Sequence, residues 1–486
     1  MEEVRNYRKS ESGNLVASKD LSTGDIVLSL QPLAAGPGRS KLPVCLGCNL
    51  RPEKGLIACS ICSWPICSEQ CQTSLNHSSE CKILQKEACD KEGFSKVSED
   101  YDFIHVLRLV MKIQSNPEIR KSIEGLKLDM SKILEKNVNK YGKESDNKIV
   151  NKIKTLVLAP EDVIKLAICF IERYNIPLDC GSRAVYLDTS NIEHSCSPNT
   201  YFIGLPTGFC LYRAARHIKA GEAITSCRVP LDKCTYFRQK LMEEEGLICN
   251  CSRCEDGSEY GTGYGSLVCS HCSGYMSPSN HHQPTNQWTC STCGEKKSGA
   301  ECIATLEKLQ KILDEAEKDP KVGTADFYEN ILKREGVWSE VPNNSQLILD
   351  AKKKLSYIYQ YHKDYYFPQV DWLRRKKDYC KDLLDMGAVL FPGRSYARTL
   401  IDYEHVSATC ALIPALREAG FQSNEVNPVC YEVVELCKAP MEMMIEEDDR
   451  SMHNAFMQMK MIATEAREEQ KTRVYLNMFG DDDEDW

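Results

Sequence analysis

The chain has 486 residues, of which 42% are hydrophobic and 27% are charged, and its formal net charge is -9 at pH 7. This length allows two to four domains, and the composition is typical of a globular protein. The net charge disfavours a general polyanion binder, and no apolar run is long enough to span a bilayer. The charged segment Met1 to Ser10 predicts no secretory signal.

The first elements in chain order are two short strands within residues 14–30, joined by a turn at Ser22-Thr23-Gly24. A first cysteine cluster follows at residues 45–81. Apolar residues then recur at helical spacing between about residues 98 and 178. Short strands return in residues 184–224.

Beyond two further cysteine clusters, the chain is predicted to be helical from about residue 300. Six or seven helices joined by short loops favour stacked helical hairpins. The run Asp481 to Asp485 is an acidic tail, which is typical of a segment without a packed core.

Cysteine usage is the strongest signal in this sequence. There are 26 cysteines, and ten of them form five C-x2-C units, a pattern that predicts metal binding in a reducing compartment. The first cluster offers eight soft ligands, which match two tetrahedral zinc sites. Its members are Cys45, Cys48, Cys59, Cys62, Cys67, Cys71, His77 and Cys81. So short a segment buries little core, so metal binding is expected to drive its folding.

The other two clusters differ in completeness. Cys249, Cys251 and Cys254 supply three ligands, so a fourth must come from elsewhere in the chain. The third cluster is complete in itself and predicts a zinc ribbon. Its members are Cys269, Cys272, Cys290 and Cys293.

The first cluster resembles the MYND zinc finger. This resemblance implies interleaved sites, with one ion on Cys45, Cys48, Cys67 and Cys71 and the other on Cys59, Cys62, His77 and Cys81. It also implies a peptide-docking module, often for proline-rich segments.

Three further segments resemble the signature of SET-domain lysine methyltransferases. They are Asn191 to Asn199 (NIEHSCSPN), Gly221 to Cys227 (GEAITSC) and Cys249 to Cys254 (CNCSRC). The opening segment, residues 15–26, looks like the first SET strands. A SET domain split by a MYND finger and followed by helices resembles the SMYD family, and the additional ribbon is similar to its arthropod-type branch. The resemblance covers about residues 10 to 480.

The resemblance implies an α+β fold: a β-rich SET domain split by a MYND finger and a helical insert, then a post-SET zinc site, a zinc ribbon and an α-helical, TPR-like C-terminal domain. The implied segments are residues 1–44 (N-terminal part of SET), 45–81 (MYND), 82–178 (helical insert), 179–240 (SET core), 241–298 (post-SET site and ribbon), 299–479 (helical domain) and 480–486 (acidic tail).

The same resemblance supplies site residues. Cys196 becomes the fourth ligand beside Cys249, Cys251 and Cys254, which brings the expectation to four structural zinc ions. S-adenosylmethionine is the implied cofactor. Its implied binding positions are Gly13, Asn14, Glu193, His194, Asn199 and Leu247.

The predicted active site departs from the family pattern. Cys227 stands at the position of the family tyrosine, and a thiol is a weak donor without a ring to shape a channel. Glu193 replaces an asparagine, and Leu247 or Gly246 replaces an adenine-stacking aromatic residue. Three tyrosines are candidates for lining the site, although packing roles are favoured for each: Tyr186, Tyr201 and Tyr236.

Two interpretations follow. The first is a protein-lysine methyltransferase acting on histones or other proteins, in transcriptional regulation. The second is a catalytically degraded SET scaffold that acts as a zinc-dependent adaptor. Direct nucleic-acid binding is disfavoured by the net charge. The expected protein is a monomer without membrane association, located in the nucleus, the cytoplasm or both.

Overall fold

A computed structural model describes residues 3–479 except 40, 53, 88–93, 95–98, 179–180, 205–207, 245, 362–369 and 444–449. The acidic tail predicted at residues 480–486 lies outside the described residues.

The chain begins with short strands around a buried apolar face. They are β1 (Val4–Arg5), β2 (Tyr7–Lys9), β3 (Leu15–Ala17), β4 (Ile26–Leu30) and β5 (Ala34–Pro37). The turn before β4 contains Gly24 with φ +92, a conformation that glycine adopts without strain. Gly36 in β5 lies so close to α3, defined below, that a Cβ there would come within 3.0 Å of the His105 Cα.

The finger segment follows with β6 (Ile57–Ala58), β7 (Pro65–Ile66), α1 (Glu69–Gln72) and α2 (Leu75–Leu84). Ser68 caps α1, its side chain accepting from the Cys71 N–H. Trp64 is fully buried and packs edge-on against Tyr101 and Phe103, at centroid distances of 5.4 and 5.6 Å. The finger therefore shares one core with the helices after it.

A helical insert comes next, comprising a short 3-10 turn (Glu99–Tyr101), α3 (Ile104–Ser115), α4 (Pro117–Glu124), α5 (Met130–Tyr141), α6 (Ser145–Leu156) and α7 (Glu161–Tyr174). Asn116 caps α4, whose first residue is proline, and Asp129 caps α5. Helices α3 and α7 are the most buried, because apolar residues cover most of their surface.

Strands of the second strand segment pair with strands of the first segment. It contains β8 (Ile176–Pro177), β9 (Ser182–Val185), a 3-10 turn (Asp188–Asn191), β10 (Glu193–His194), β11 (Thr200–Gly204), β12 (Cys210–Ala214) and β13 (Thr225–Ser226). The largest sheet has the order β1-β4-β12-β11, and β5 pairs with β9. Strands β10 and β13 form a separate parallel pair, with His194 opposite Ser226.

The cysteine-rich region after residue 234 contains α8 (Thr235–Glu244), α9 (Ser252–Glu255) and an antiparallel meander of β14 (Leu267–Val268), β15 (Tyr275–Pro278), β16 (Gln287–Cys290) and β17 (Lys296–Ser298). Trp288 is buried where β16 packs on the first C-terminal helix.

The described part of the C-terminal region is helical. It contains α10 (Gly299–Lys318), α11 (Ala325–Leu332), a 3-10 turn (Gly336–Glu340), α12 (Gln346–Tyr361), α13 (Val370–Leu390), α14 (Tyr396–Glu418), α15 (Ser423–Met443) and α16 (Arg450–Phe479). Each helix from α11 onward packs against the next, as stacked hairpins do. The chain thus combines a strand-rich half with a helical half, as the α+β prediction requires.

Candidate zinc centres and candidate active site

Four groups of cysteine and histidine side chains converge in the structure. Within each group the ligand atoms all lie within 4.8 Å of one another. The groups are Cys45, Cys48, Cys67 and Cys71; Cys59, Cys62, His77 and Cys81; Cys196, Cys249, Cys251 and Cys254; and Cys269, Cys272, Cys290 and Cys293. The interleaved pairing and the distant Cys196 both match the family-implied sets, and all sixteen side chains carry donors that zinc prefers.

Sulfur separations within these groups fit a tetrahedron around zinc. With Zn–S bonds of about 2.3 Å, two sulfurs of a tetrahedral site lie about 3.8 Å apart. The observed separations run from 3.3 to 3.8 Å, in the pairs Cys48–Cys67, Cys59–Cys81, Cys67–Cys71, Cys196–Cys254, Cys269–Cys293 and Cys272–Cys290. None of the described cysteines is in a disulfide. The four groups therefore suit zinc, which confirms the predicted four-ion complement.

Backbone N–H groups donate hydrogen bonds to cysteine sulfurs within these groups. The first cysteine of a C-x2-C unit accepts from the N–H two residues on, at 3.3 Å for Cys45 and 3.4 Å for Cys290. Chiefly through the backbone N–H of Cys293, this local geometry lowers the pKa of Cys290 to about 6. Because zinc binds thiolate, such a backbone favours the metal-bound form.

The second finger centre is tied to the helical insert by a buried charge. His77 places Nε2 3.5 Å from the Cys62 Sγ and Nδ1 3.8 Å from the Glu80 carboxylate. Glu80 is fully buried, and the Arg108 guanidinium of α3 binds both its oxygens. Arg108 also donates to the Ala35 carbonyl of β5. The centre, the insert and a core strand are thus one polar network.

Two buried arginines hold the third centre in place. Arg238 and Arg253 are both fully buried and both pair with the Glu259 carboxylate at 3.3 Å. Arg253 also donates to the Cys196 carbonyl, and Arg238 approaches the Cys254 Sγ at 3.7 Å. These contacts bring the Cys196 loop, distant in sequence, onto the Cys249–Cys254 segment.

His194 lies beside this centre, and contacts at both of its ring nitrogens orient the imidazole. Its Nδ1 accepts the Arg228 backbone N–H at 3.1 Å, and its Nε2 lies 3.4 Å from the Cys196 Sγ. A neutral imidazole that accepts at Nδ1 carries its proton on Nε2. His194 therefore donates to the Cys196 sulfur, as a side chain that supports a metal ligand does. Cys227 joins His194 and Cys196 within 4.8 Å.

The cofactor positions implied by the family gather around the β10–β13 pair, where several already bind each other. The Asn14 side chain donates to the Glu193 carboxylate. Gly13 has φ +89, and a Cβ there would meet nothing within 4 Å. Leu247 packs against the third zinc group instead.

Asn199 is fully buried and serves the fold. Its Nδ2 donates to Glu222 and to the Ala223 carbonyl, and its Oδ1 accepts from the Thr225 N–H at 2.8 Å. Its side-chain hydrogen-bonding groups are thus engaged with the loop that leads into β13.

A cavity of about 760 Å³ opens between α5 and the end of β13. Ser226, Cys227 and Arg228 line it on one side, and Tyr212, Phe202 and Tyr174 supply aromatic rings. The Cys227 Sγ donates to the Val229 carbonyl at 3.1 Å. The cavity falls within the usual size of small-ligand sites.

A tyrosine that the sequence did not single out lies beside Cys227. Tyr212 is buried on β12 and lines the cavity together with Ser226 and Cys227. The three tyrosines considered from sequence do not line this cavity. Tyr186 donates to the Gly208 carbonyl, Tyr236 binds Glu307, and Tyr201 lies on β11 opposite Arg213. No sequence signal separates Tyr212 from other strand tyrosines, because its position in the cavity wall depends on tertiary packing.

Comparison with known proteins places the chain in a class. No family model matches it. It is 21% identical to the SET domain-containing protein SmydA-8, isoform A, of Drosophila melanogaster, over 57% of this chain and 62% of that protein. It is 24% identical to the histone-lysine N-methyltransferase ASHR1 of Arabidopsis thaliana, over 70% and 80% respectively.

A third similar protein comes from a vertebrate. The chain is 26% identical to the histone-lysine N-methyltransferase SMYD3 of Mus musculus, over 52% of this chain and 61% of that protein. The match therefore spans a little under two thirds of SmydA-8 and of SMYD3. These similarities, together with the four zinc-type groups, support a relationship between the chain and SET and MYND domain-containing proteins. Among the described residues, no helix has the length and apolar character that a bilayer crossing needs.

Proposed function

We propose that this chain binds S-adenosylmethionine beside β13 and transfers its methyl group to a lysine of a partner protein, histone or non-histone. The observation that carries the proposal is the cavity beside β13, which Tyr212 lines together with Ser226, Cys227 and Arg228. The names of the relatives ASHR1 and SMYD3 support the reaction type. We also propose that the seven segments predicted from the sequence are the protein's domains, and that the sixteen grouped side chains are its zinc ligands.

The cavity fits the cofactor in size, and the cofactor would supply an electrophilic methyl group there. Tyr212 would hold its proton on the hydroxyl, because burial raises the pKa of this phenol well above its usual range. It acts as a hydrogen-bond donor and ring wall rather than as a base. Phe202 packs at 5.3 Å from the Tyr212 ring and fixes its orientation. Such positioned dipoles contribute to catalysis mainly by orientation and electrostatics.

A pair of tyrosine variants tests the proposal. Tyr212→Phe removes the hydroxyl from the cavity, and we expect methyl transfer to fall by about 100-fold while cofactor affinity changes by less than about threefold. Tyr186→Phe is the matched control, since its hydroxyl donates to the Gly208 carbonyl away from the cavity. Isothermal titration with S-adenosylmethionine and radiolabelled transfer to a protein mixture measure the two effects. Wild-type protein that binds no cofactor at millimolar concentration would refute the proposal.

The adaptor alternative is favoured by a specific observation: several side chains at the family's cofactor and catalytic positions already have partners within the protein. Asn14 binds Glu193, Asn199 binds the loop that leads into β13, and the Cys227 thiol donates to the Val229 carbonyl. In this alternative the finger docks proline-rich peptides, and exposed apolar side chains on it support that role: Ile57, Ile61 and Leu75, which is 90% exposed.

Fluorescence anisotropy with a labelled proline-rich peptide tests the adaptor role. Leu75→Ala is expected to weaken binding by about tenfold, as loss of an apolar anchor does. Leu158→Ala is the control, because Leu158 is 98% exposed and lies outside the finger. If the two variants bind the peptide with equal affinity, Leu75 on the finger surface does not take part in docking it.

A further inference from the structure

The cavity beside β13 has a charge that contrasts with the rest of the molecule. Seven basic and three acidic side chains line it, whereas the whole chain carries a formal net charge of -9. We propose that the α5 side of this cavity receives an acidic segment of a partner protein, whose aspartate and glutamate side chains bind Lys132 and Lys140, while the cofactor would occupy the β13 side. The inference rests on the proposed function, since the acceptor lysine would belong to that acidic segment.

One face of α5 carries three of the seven basic side chains. Lys132, Lys136 and Lys140 follow each other at four-residue intervals, and all three line the cavity. Like charges at this spacing repel one another and destabilise a helix. Lys132 and Lys140 are exposed, and no carboxylate of the described residues lies within 4.0 Å of either ammonium group. A partner with negative charge would relieve this repulsion.

Three acidic side chains line the wall, those of Asp129, Glu172 and Glu244, so the seven basic side chains leave an excess of four positive charges. Glu172 is bound by Arg183 at 3.0 Å and by Arg39 at 3.2 Å. Asp129 accepts the Lys132 backbone N–H as the cap of α5. The positive potential of the lysine face therefore acts on whatever enters the cavity.

The lysine face also lies close to the opposite wall. A Cβ built on Gly246, in the loop after α8, would come within 3.4 Å of the Lys132 Nζ. The Lys132 ammonium group thus lies between α5 and that loop, while Arg228 stands beside Cys227 on the β13 side. A segment entering the cavity would pass cations before it reached Cys227.

The wall offers little of the paired arginine geometry that favours phosphate. Arginine recognises phosphate with its planar fork, but the arginine forks here have internal contacts: Arg183 pairs with Glu172, and Arg228 stacks on Tyr174 at 5.2 Å and contacts the Ile192 carbonyl. The cations left exposed on α5 are lysines, which act as point charges.

A peptide-binding experiment tests the inference on the full-length protein loaded with zinc. The probe is a fluorescein-labelled peptide with one lysine flanked by aspartate and glutamate, compared with a peptide of equal length flanked by arginine. We expect the acidic peptide to bind more tightly, and its affinity to fall about tenfold in K132E/K140E and with rising salt. K132Q/K140Q, which removes charge without reversing it, should show an intermediate loss.

K308E/K318E is the matched control, because these exposed lysines of α10 make the same change in net charge away from this cavity. The proposal is overturned if the basic peptide binds as tightly as the acidic one, if an oligouridylate binds more tightly, or if both α5 variants keep wild-type affinity while circular dichroism shows them folded. S-adenosylmethionine titration of the same protein separates the outcomes: acidic-peptide binding without cofactor binding would refute only the proposed function.

Discussion

His194 shows how one side chain can keep a family position while serving a structural role. Its Nδ1 is held by the Arg228 N–H, and its Nε2 proton points to the Cys196 sulfur. A hydrogen bond to a metal-bound thiolate fixes the orientation of that ligand. The contact links the third zinc group to the residue that follows Cys227.

This contact predicts a kinetic effect on one zinc ion out of four. His194→Ala should accelerate zinc release from the third group by about tenfold, because the Cys196 thiolate loses a supporting donor. A chromophoric chelator would then report one fast equivalent and three unchanged ones. His217→Ala, at an exposed site, is the control. A uniform rate for all four ions would contradict the assignment.

Asn199 leads to a prediction about stability. In Asn199→Ala the Thr225 N–H loses its side-chain acceptor inside the protein, so we expect a loss of about 3 kcal/mol in the free energy of unfolding. Asn139→Ala, at an exposed position of α5, should change it by less than about 0.5 kcal/mol. Denaturant titration of both variants checks the difference. A near-neutral result at Asn199 would mean that water replaces its contacts.

At the scale of elements, α2 and α3 are joined by the Glu80–Arg108 pair. Arg108→Ala leaves the Glu80 carboxylate buried without its cation, which is expected to cost about 3–5 kcal/mol. The double variant E80Q/R108M removes both charges and should recover much of that loss. Thermal unfolding followed by circular dichroism compares them. If the two variants lose equal stability, the charge pairing is not the cause.

Helix α14 contains a carboxyl group, that of Asp402, whose ionisation is unfavourable in the folded protein. Burial, only partly offset by Arg398, raises the pKa of Asp402 from 3.8 to about 6. The folded state therefore binds the proton more tightly than the unfolded state, and stability falls as the pH rises from about 4 through 6. Asp402→Asn should stabilise the protein at pH 7 by about 2 kcal/mol.

The pH dependence provides the check on that prediction. The gain from Asp402→Asn should shrink as the pH falls below about 5, since the wild-type carboxyl group is then protonated. Asp378→Asn, at an exposed position of α13, is the control variant. A gain independent of pH would assign the effect to packing instead.

On the scale of the whole molecule, zinc and apolar cores stabilise different regions. The finger, the third group and the ribbon depend on metal, whereas α13 to α16 bury an apolar core of their own. Metal analysis should return four zinc ions per chain. Exhaustive chelation should expose the cysteine-rich segments to protease while α13 to α16 stay protected. Retention of the full fold without metal would contradict this division.

Much of this organisation follows from the sequence because ligand spacing is a local signal. C-x2-C units and one histidine predicted the two finger sites and the ribbon, and the incomplete Cys249–Cys254 group predicted a missing donor. Only the family resemblance supplied Cys196, because the loop that carries it is distant in sequence. The position of Tyr212 in the cavity wall, the Glu80–Arg108 pair and the cavity facing α5 depend on tertiary packing, which no local pattern encodes.

The buried Glu80 also sets a condition for work on the finger by itself. A fragment that ended at Cys81 would retain this carboxylate but not Arg108, its partner from the insert. Burying an anion that has lost its counter-charge opposes folding, even with both metal positions filled. An isolated finger should therefore be made with glutamine at position 80, or with α3 included, before its peptide specificity is compared with that of the intact chain.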